Sequence, residues 1–183
     1  MNEVIENIKS RRSIRKYKSE QIKDKELEII LESAIYAPTG HNDQPWYFTV
    51  IQNKELIDEM SVECKRIMSD LPIEWIARMG KAEHLHIFYE APTVVVVSGK
   101  EDATSPIPDC SAAIQNMMLA AESMDIGSCW IGLARFFFKN EDNVKRLEIP
   151  EGYKPYYGVC LGYKGSSSNK APERNKDVVN YIK

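Results

Sequence analysis

The sequence predicts one domain in which a mixed β-sheet carries helices on both faces. Segments with helical periodicity alternate along the chain with segments rich in β-branched residues, but without a strict strand–helix–strand repeat. The stretch from Val94 to Ser98 is apolar without alternation, which is typical of a strand covered on both sides. A chain of 183 residues has the size of a single domain.

The first third of the chain is predicted to contain three helices and one strand. Apolar residues between positions 4 and 8 have helical spacing, and a second helix is expected to begin after Asp24, whose side chain can cap it. Pro38 stops that helix. Residues 47–51 are aromatic and β-branched, which indicates a strand, and Asn53 is expected to cap the third helix.

The middle of the chain is less regular. Between residues 70 and 90 the spacing of Trp75, Ile76 and Met79 favours one short amphipathic helix. Residues 99–108 are polar and contain two prolines, so we expect a loop.

The strongest helical pattern begins near residue 110. Asp109 is expected to cap this helix, which is apolar on nearly all sides, and Gly127 to close it as a left-handed residue. Three further elements are predicted: a strand at 129–133, a helix at 139–147 and a strand at 156–163.

Composition excludes several classes of function. Lys and Arg number 24 against 27 Asp and Glu, which argues against a general nucleic-acid or membrane-surface binder. The longest apolar run, residues 91–97, is far below the ~20 residues of a membrane span. The N-terminus lacks the layout of a signal peptide, so we expect a cytoplasmic protein. Four scattered cysteines are expected to be reduced, mostly buried thiols: Cys64, Cys110, Cys129 and Cys160.

A basic cluster follows the first helix. Arg11, Arg12 and Arg15 surround Ser13, and guanidinium groups with a hydroxyl are what a phosphate or a developing anion needs. Taken alone, such a cluster is more often a solvated basic patch. No glycine-rich Rossmann or P-loop motif accompanies it.

Two further clusters are candidates for a ligand site. The loop at 37–46 carries small, amide and hydroxyl side chains that can meet the polar edge of a heterocycle, although such residues also simply make turns. At 128–132, Gly132 allows a ligand to approach the backbone closely. Cys129 is expected to be a packed thiol rather than a nucleophile. His41, His84 and His86 have no metal-ligand spacing, so no metal is expected.

Together and in this order, these clusters resemble the nitroreductase family of FMN-dependent oxidoreductases, in its compact form. The Arg-Arg-Ser and Asn-x-Gln-Pro-Trp motifs contribute most to the likeness. The resembling segments extend from one end of the chain to the other: residues 11–17, 37–48, 109–132, 158–163 and 172–174.

The resemblance implies an α+β fold, a three-layer α/β/α arrangement around a mixed, mostly antiparallel sheet. It implies an intertwined homodimer with FMN at each of two interface sites. Residues 1–163 would form the FMN-binding domain, and residues 164–183 would be an extension that wraps the partner subunit.

The resemblance also assigns site residues by matching position. Arg11, Arg12 and Ser13 would hold the phosphate and ribityl groups, Arg15 the N1/O2 edge of the flavin, and Arg174 the phosphate again. The remaining positions would line the ring, several of them from the partner chain: Pro38, Thr39, Gly40, Asn42, Gln44, Ile131, Gly132 and Leu133. Trp75 and Tyr89 are candidates for the acceptor pocket.

The implied reaction is a ping-pong transfer of hydride from NADH or NADPH, through flavin N5, to a small electron-poor acceptor such as a nitroaromatic or quinone. No protein residue would act as a catalytic acid or base. Three alternatives remain open from the sequence. They are a flavin-storage protein without efficient turnover, a dehalogenase-like member of the same scaffold, and an interaction protein without a cofactor.

Overall fold

The computed structural model describes residues 2–165 and 171–183. Helices and strands alternate along the chain, and the described part contains six α-helices and four strands. Their bounds are α1 Glu3–Ser10, α2 Asp24–Ile35, β1 Trp46–Ile51, α3 Lys54–Ser69, α4 Glu74–Lys81, β2 Thr93–Lys100, α5 Pro106–Ser123, β3 Ile126–Ile131, α6 Glu141–Lys145 and β4 Tyr153–Tyr163.

The four strands form one sheet in the order β1-β2-β4-β3, and each neighbouring pair is antiparallel. A parallel bridge between Ser13 and Ser128 adds the N-terminal segment beside β3. The predicted α+β fold with a mostly antiparallel sheet is therefore confirmed. β1 and β3 are the outer strands, and β2 and β4 lie between them.

Strand β2 lies in the middle of three layers, with helices packed on both faces of the sheet. Its side chains point alternately to opposite faces, and both faces are buried. Val94 and Val96 pack in a core cluster with residues of α3 and α4, whereas Val95 and Val97 pack with residues of α2 and α5. An unbroken run of valines is therefore what a central strand between two helical layers requires.

The predicted loop at 99–108 is confirmed only at its centre, where residues 101–105 form turns and bends. Strand β2 continues through Lys100, and α5 begins at Pro106, so Asp109 lies inside the first turn of the helix instead of capping it. Proline is well suited to this position, because its fixed φ is helical and the first turn needs no N–H partner. The Asp109 carboxylate is thereby free to bind another segment.

The predicted role of Gly127 is also wrong. Helix α5 ends at Ser123, Asp125 adopts the left-handed conformation with φ 57°, and Gly127 lies inside β3. A Cβ at Gly127 would lie 2.9 Å from Cγ2 of Ile14, so this glycine makes room for the N-terminal segment. Its small size, not its flexibility, is what the fold uses.

Several other boundaries differ from the prediction, including the starts of β3 at Ile126 and of β4 at Tyr153. Lys23 precedes α2, and Asp24 is the first residue of the helix; the cap is supplied by Glu26, whose carboxylate accepts from the Lys23 N–H at 3.0 Å. Strand β3 ends at Ile131, and residues 132–139 form 3-10 turns. The helix predicted at 139–147 is confirmed over its central part as α6.

The C-terminal segment at 171–183 has no helix or strand, and its residues are exposed in the single chain. Residues 166–170 of the predicted extension lie outside the described part. Within residues 2–165 and 171–183, no helix has the length and apolar character needed to cross a membrane.

Candidate functional site

The basic cluster is fixed to the edge of the sheet by its own backbone. The Ile14 N–H donates to the Ser128 carbonyl at 2.9 Å, and the Tyr17 hydroxyl donates to the Ile14 carbonyl at 2.7 Å. Ile14 is buried against β3. Because an extended segment alternates its side chains, Arg11, Ser13 and Arg15 lie on the side opposite Ile14.

Arg11 carries a buried donor without a partner. Among the described residues, its Nη1 atom has no hydrogen-bond acceptor although it is shielded from solvent. A buried, unsatisfied guanidinium nitrogen is costly, and native structures usually pair such groups. The position and charge of this donor suit an anionic ligand.

Arg12 has different surroundings. Its Nη1 donates to the carbonyls of Lys9 and Arg11, both at 2.7 Å. These carbonyls belong to the C-terminal end of α1, where a cation satisfies free carbonyl groups. Part of this guanidinium is therefore already used within the chain.

Arg15 lies against Tyr89, the aromatic residue that the sequence marked as a pocket candidate. The Arg15 Nε donates to the Tyr89 hydroxyl at 3.3 Å, and the guanidinium carbon lies 5.7 Å from the centre of the Tyr89 ring. Trp75, the other pocket candidate, lies on α4 with 54% of its surface exposed. Tyr89 thus fixes the orientation of Arg15.

Cys129 lies beneath this cluster with 2% of its surface exposed. Burial raises the pKa of its thiol, and the nearby charges of Arg15 and Arg11 offset that rise only in part. The thiol therefore stays protonated at neutral pH, as expected for a packed side chain and not for a nucleophile. All four cysteines are buried and free.

The end of β3 leaves open space beside the cluster. A Cβ at Gly132 would meet no atom of the described chain within 4 Å, so a planar ligand can approach this backbone closely. Ile131 is buried and Leu133 is half-buried on either side of it. This segment and the guanidinium groups share one edge of the sheet.

The loop at 38–44 is strained and tied to the start of α5. His41, Asn42 and Gln44 have φ of 49°, 59° and 45°, a conformation that residues other than glycine rarely adopt. The Gly40 N–H donates to the Asp109 carboxylate at 3.2 Å, which holds this conformation in place. Strain of this kind is commonly found at ligand sites.

A single chain does not bring all the predicted site residues together. The guanidinium cluster lies beside β3 and the loop precedes β1, and these strands are opposite edges of the sheet. Three strand spacings separate the edges by about 14 Å. Arg174, in the C-terminal segment, has no hydrogen-bond or ion-pair partner in the part of the chain that the structure describes. Within one chain, the predicted site residues therefore lie in separate groups.

One histidine has a larger role than its sequence context indicated. His84 is exposed, but the ring of His86 contacts Asp58 and two backbone amides in the turn that carries Tyr89. The spacing of the two histidines gave no sign of this, because the contacts form only when the turn folds and packs beside α3. Among residues 2–165 and 171–183, no three His, Cys, Asp or Glu residues are grouped as metal ligands.

Comparison with known proteins adds a family to this geometry. The profile of the Nitroreductase family matches residues 8–163. A crystal structure of a nitroreductase with bound FMN from Bacteroides fragilis is 33% identical, covers 100% of both chains and has a TM-score of 0.91. A nitroreductase with bound FMN from Desulfitobacterium hafniense is 32% identical over 100% of both chains, with a TM-score of 0.90. An FMN reductase [NAD(P)H] from Bacillus subtilis is 28% identical over 99% of this chain and 74% of its own.

Proposed function

The chain belongs to the nitroreductase family, and from this membership we propose that it is an NAD(P)H-dependent FMN oxidoreductase acting on electron-poor acceptors. The observation that carries the proposal is the buried, unpartnered Nη1 of Arg11, placed on the same sheet edge as the open backbone at Gly132. FMN has a dianionic phosphate that can accept from the Arg11 donor, and a planar ring that can lie against the backbone at Gly132.

The residues of this edge fit FMN in charge and shape. Arg11, with Arg12 and Ser13, would hold the phosphate and ribityl groups, and Arg15 would meet the N1/O2 edge of the ring. Bound FMN would supply hydride chemistry at N5, with NADH or NADPH as the donor and an electron-poor molecule as the acceptor of a ping-pong cycle. The Arg15 guanidinium would stabilise negative charge at the N1 edge of a bound flavin, which favours its reduction.

Two copies of the chain would complete the site. The loop residues Pro38, Thr39, Gly40, Asn42 and Gln44, and the tail residue Arg174, would come to the flavin from the partner or along the ring. Support comes from large apolar side chains that one chain leaves exposed, which is typical of an interaction surface. They lie on α1, on α2 and just after it, and in the C-terminal segment: Val4, Ile5, Ile8, Ile29, Ile35, Tyr36, Val178, Val179, Tyr181 and Ile182.

The proposal is tested with the purified protein mixed anaerobically with NADH or NADPH. We expect bound yellow FMN, loss of its visible absorbance on mixing, and return of the colour when a nitroaromatic or quinone is added. Colourless protein that takes up no added FMN would contradict the whole proposal. Bound flavin that neither nicotinamide reduces would support flavin storage instead.

A further inference from the structure

His86 uses both ring nitrogens in fixed roles. Its Nε2 lies 3.2 Å from Oδ1 of Asp58, and its Nδ1 accepts from the backbone N–H groups of Phe88 at 3.1 Å and Glu90 at 3.2 Å. Backbone N–H groups can only donate, so Nδ1 carries no proton. The carboxylate of Asp58 can only accept, so Nε2 carries the proton. The contacts therefore require the neutral ring.

These bonds close a turn that the chain does not favour by itself. Tyr89 and Glu90 both have φ of 54°, so two successive residues other than glycine are left-handed. The same turn is anchored on both sides: the Ile87 N–H donates to Ser61 Oγ at 2.9 Å, and the Phe88 carbonyl accepts from Cys160 Sγ at 3.2 Å. Two backbone bonds also close the turn, from the Tyr89 N–H to the His86 carbonyl and from the Ala91 N–H to the Phe88 carbonyl, both at 3.0 Å. The His86 ring accepts from the two remaining N–H groups of this turn, those of Phe88 and Glu90.

The turn places Tyr89 in contact with Arg15. The Tyr89 hydroxyl accepts from Arg15 Nε at 3.3 Å, and the ring lies beside the guanidinium. A shift of the turn would therefore move the Tyr89 hydroxyl that Arg15 contacts. Within the described residues, His86 itself contacts neither Arg15 nor Gly132.

We propose that neutral His86 is a positioning residue of the flavin site, which holds Tyr89 against Arg15 and releases it when the ring is protonated. The proposal rests on the proposed function, because it takes Arg15 to lie at the flavin. Protonation places an N–H on Nδ1, opposite two backbone donors, and the two bonds to Phe88 and Glu90 are then lost.

The charged groups around His86 determine when this occurs. Burial lowers the pKa of His86, and Lys54 lowers it too, whereas Asp58 and Glu90 raise it; the pKa is lowered on balance. Lys54 and Asp58 are themselves paired at 2.5 Å on α3. Because the native pKa lies below that of the unfolded chain, the turn is stable at neutral pH and weakens as pH falls through the native value.

Two substitutions separate the roles of the ring nitrogens. In His86→Asn, the amide oxygen takes the place of Nδ1 and still accepts from Phe88 and Glu90. In His86→Gln, the amide nitrogen takes the place of Nε2 and still donates to Asp58, but the acceptor is lost. His84→Gln is the matched control, because His84 is exposed two positions away.

The first readout is amide hydrogen exchange of Phe88 and Glu90 in flavin-free protein. At neutral pH we expect exchange about tenfold faster in His86→Gln, the factor that loss of a net hydrogen bond gives. We expect little change in His86→Asn and none in His84→Gln. Unchanged exchange in His86→Gln would overturn the proposal.

The second readout is the FMN dissociation constant and midpoint potential between pH 5 and 8. At neutral pH His86→Gln should bind FMN more weakly and have a lower midpoint potential than wild type. Because flavin reduction takes up protons in both proteins, the two are compared at the same pH, and both differences should shrink as pH falls and His86 of the wild type becomes protonated. Tyr89→Phe should reproduce both effects on FMN without faster exchange. If all variants bind FMN with the dissociation constant, midpoint potential and pH dependence of wild type, the proposal for His86 is overturned. The proposed function would then still stand. A protein that binds no FMN defeats the proposed function, while the exchange data still test the turn.

Discussion

Arg11 and Arg12 are neighbours in sequence, but the fold gives them different tasks. Arg11 has a buried nitrogen with no acceptor in the described chain, whereas Arg12 donates to two carbonyls at the end of α1. An anionic ligand would give the Arg11 nitrogen its missing acceptor. Arg12 already stabilises the C-terminal end of α1 without a ligand.

We expect Arg11→Ala to weaken FMN binding by about 1–3 kcal/mol, the value of a charge-assisted hydrogen bond. Arg12→Ala should weaken it less and should instead lower the free energy of unfolding, because α1 loses its C-terminal partner. Flavin fluorescence titration and urea denaturation of both variants measure the two effects. Equal loss of FMN affinity in the two variants would contradict this ranking.

At the residue scale, the sequence predicted a basic cluster beside Ser13 but not the different hydrogen-bond surroundings of its arginines. The alternation around Ile14 places Arg11, Ser13 and Arg15 on one side, and this follows from an extended segment with one buried residue. The orientation of Arg12 could not be predicted, because it depends on which helix carbonyls lack partners after folding.

The loop at 38–44 and the first turn of α5 behave as one element. Asp109 is 6% exposed, and its carboxylate accepts from the Gly40 N–H next to three left-handed residues. A second carboxylate, that of Asp43, accepts from the Thr104 N–H at 2.8 Å. The strain of the loop is thus supported by two charge-assisted bonds.

Asp109→Ala should lower the free energy of unfolding by about 1–3 kcal/mol, because a part-buried backbone donor loses its partner. FMN affinity should fall with it, if the loop meets the flavin. Asp102→Ala is the control: the Asp102 side chain is 76% exposed, so a change within about 0.5 kcal/mol is expected. Urea denaturation of wild type and the two variants measures the free energies of unfolding. Equal values for all three proteins would show that the Asp109 carboxylate does not stabilise the loop.

Element positions were mostly predictable, and the failures have a common cause. Asn53 caps α3 as expected, with its Oδ1 accepting from the Leu56 N–H at 3.0 Å, because capping is a local interaction. Asp109 and Gly127 were misplaced because each serves a distant segment, the Gly40 loop and Ile14. His86 went unrecognised for the same reason.

For the whole molecule, the decisive fact is that the two halves of the proposed site lie on opposite edges of one sheet. A flavin that needs both halves requires a second chain. The family, the α+β fold and the basic cluster could all be predicted from the sequence. The sheet edge at which each group of residues lies could not be predicted, because strand order is set by pairings between distant residues.

Mixed dimers test whether two chains together build each flavin site. One variant carries Arg11→Ala with Arg15→Ala, and the other carries Asn42→Ala with Gln44→Ala. Each homodimer should bind little FMN. A heterodimer isolated through two different tags should bind about half the wild-type amount, since one of its two interface sites contains only wild-type residues. If each site were built within one chain, the heterodimer would bind no more than the homodimers.

The strand order also bears on how the chain is made. β2 is buried at seven of its eight residues, yet its inner neighbour β4 begins at Tyr153, roughly 50 residues after β2 ends at Lys100. At about 5–20 residues per second, a ribosome takes about 3–10 s to deliver that neighbour. During that interval one edge of the polyvaline segment is unpaired, which is the kind of exposure that seeds aggregation. Co-expressed chaperones, which cover exposed apolar segments, should therefore raise the yield of folded protein.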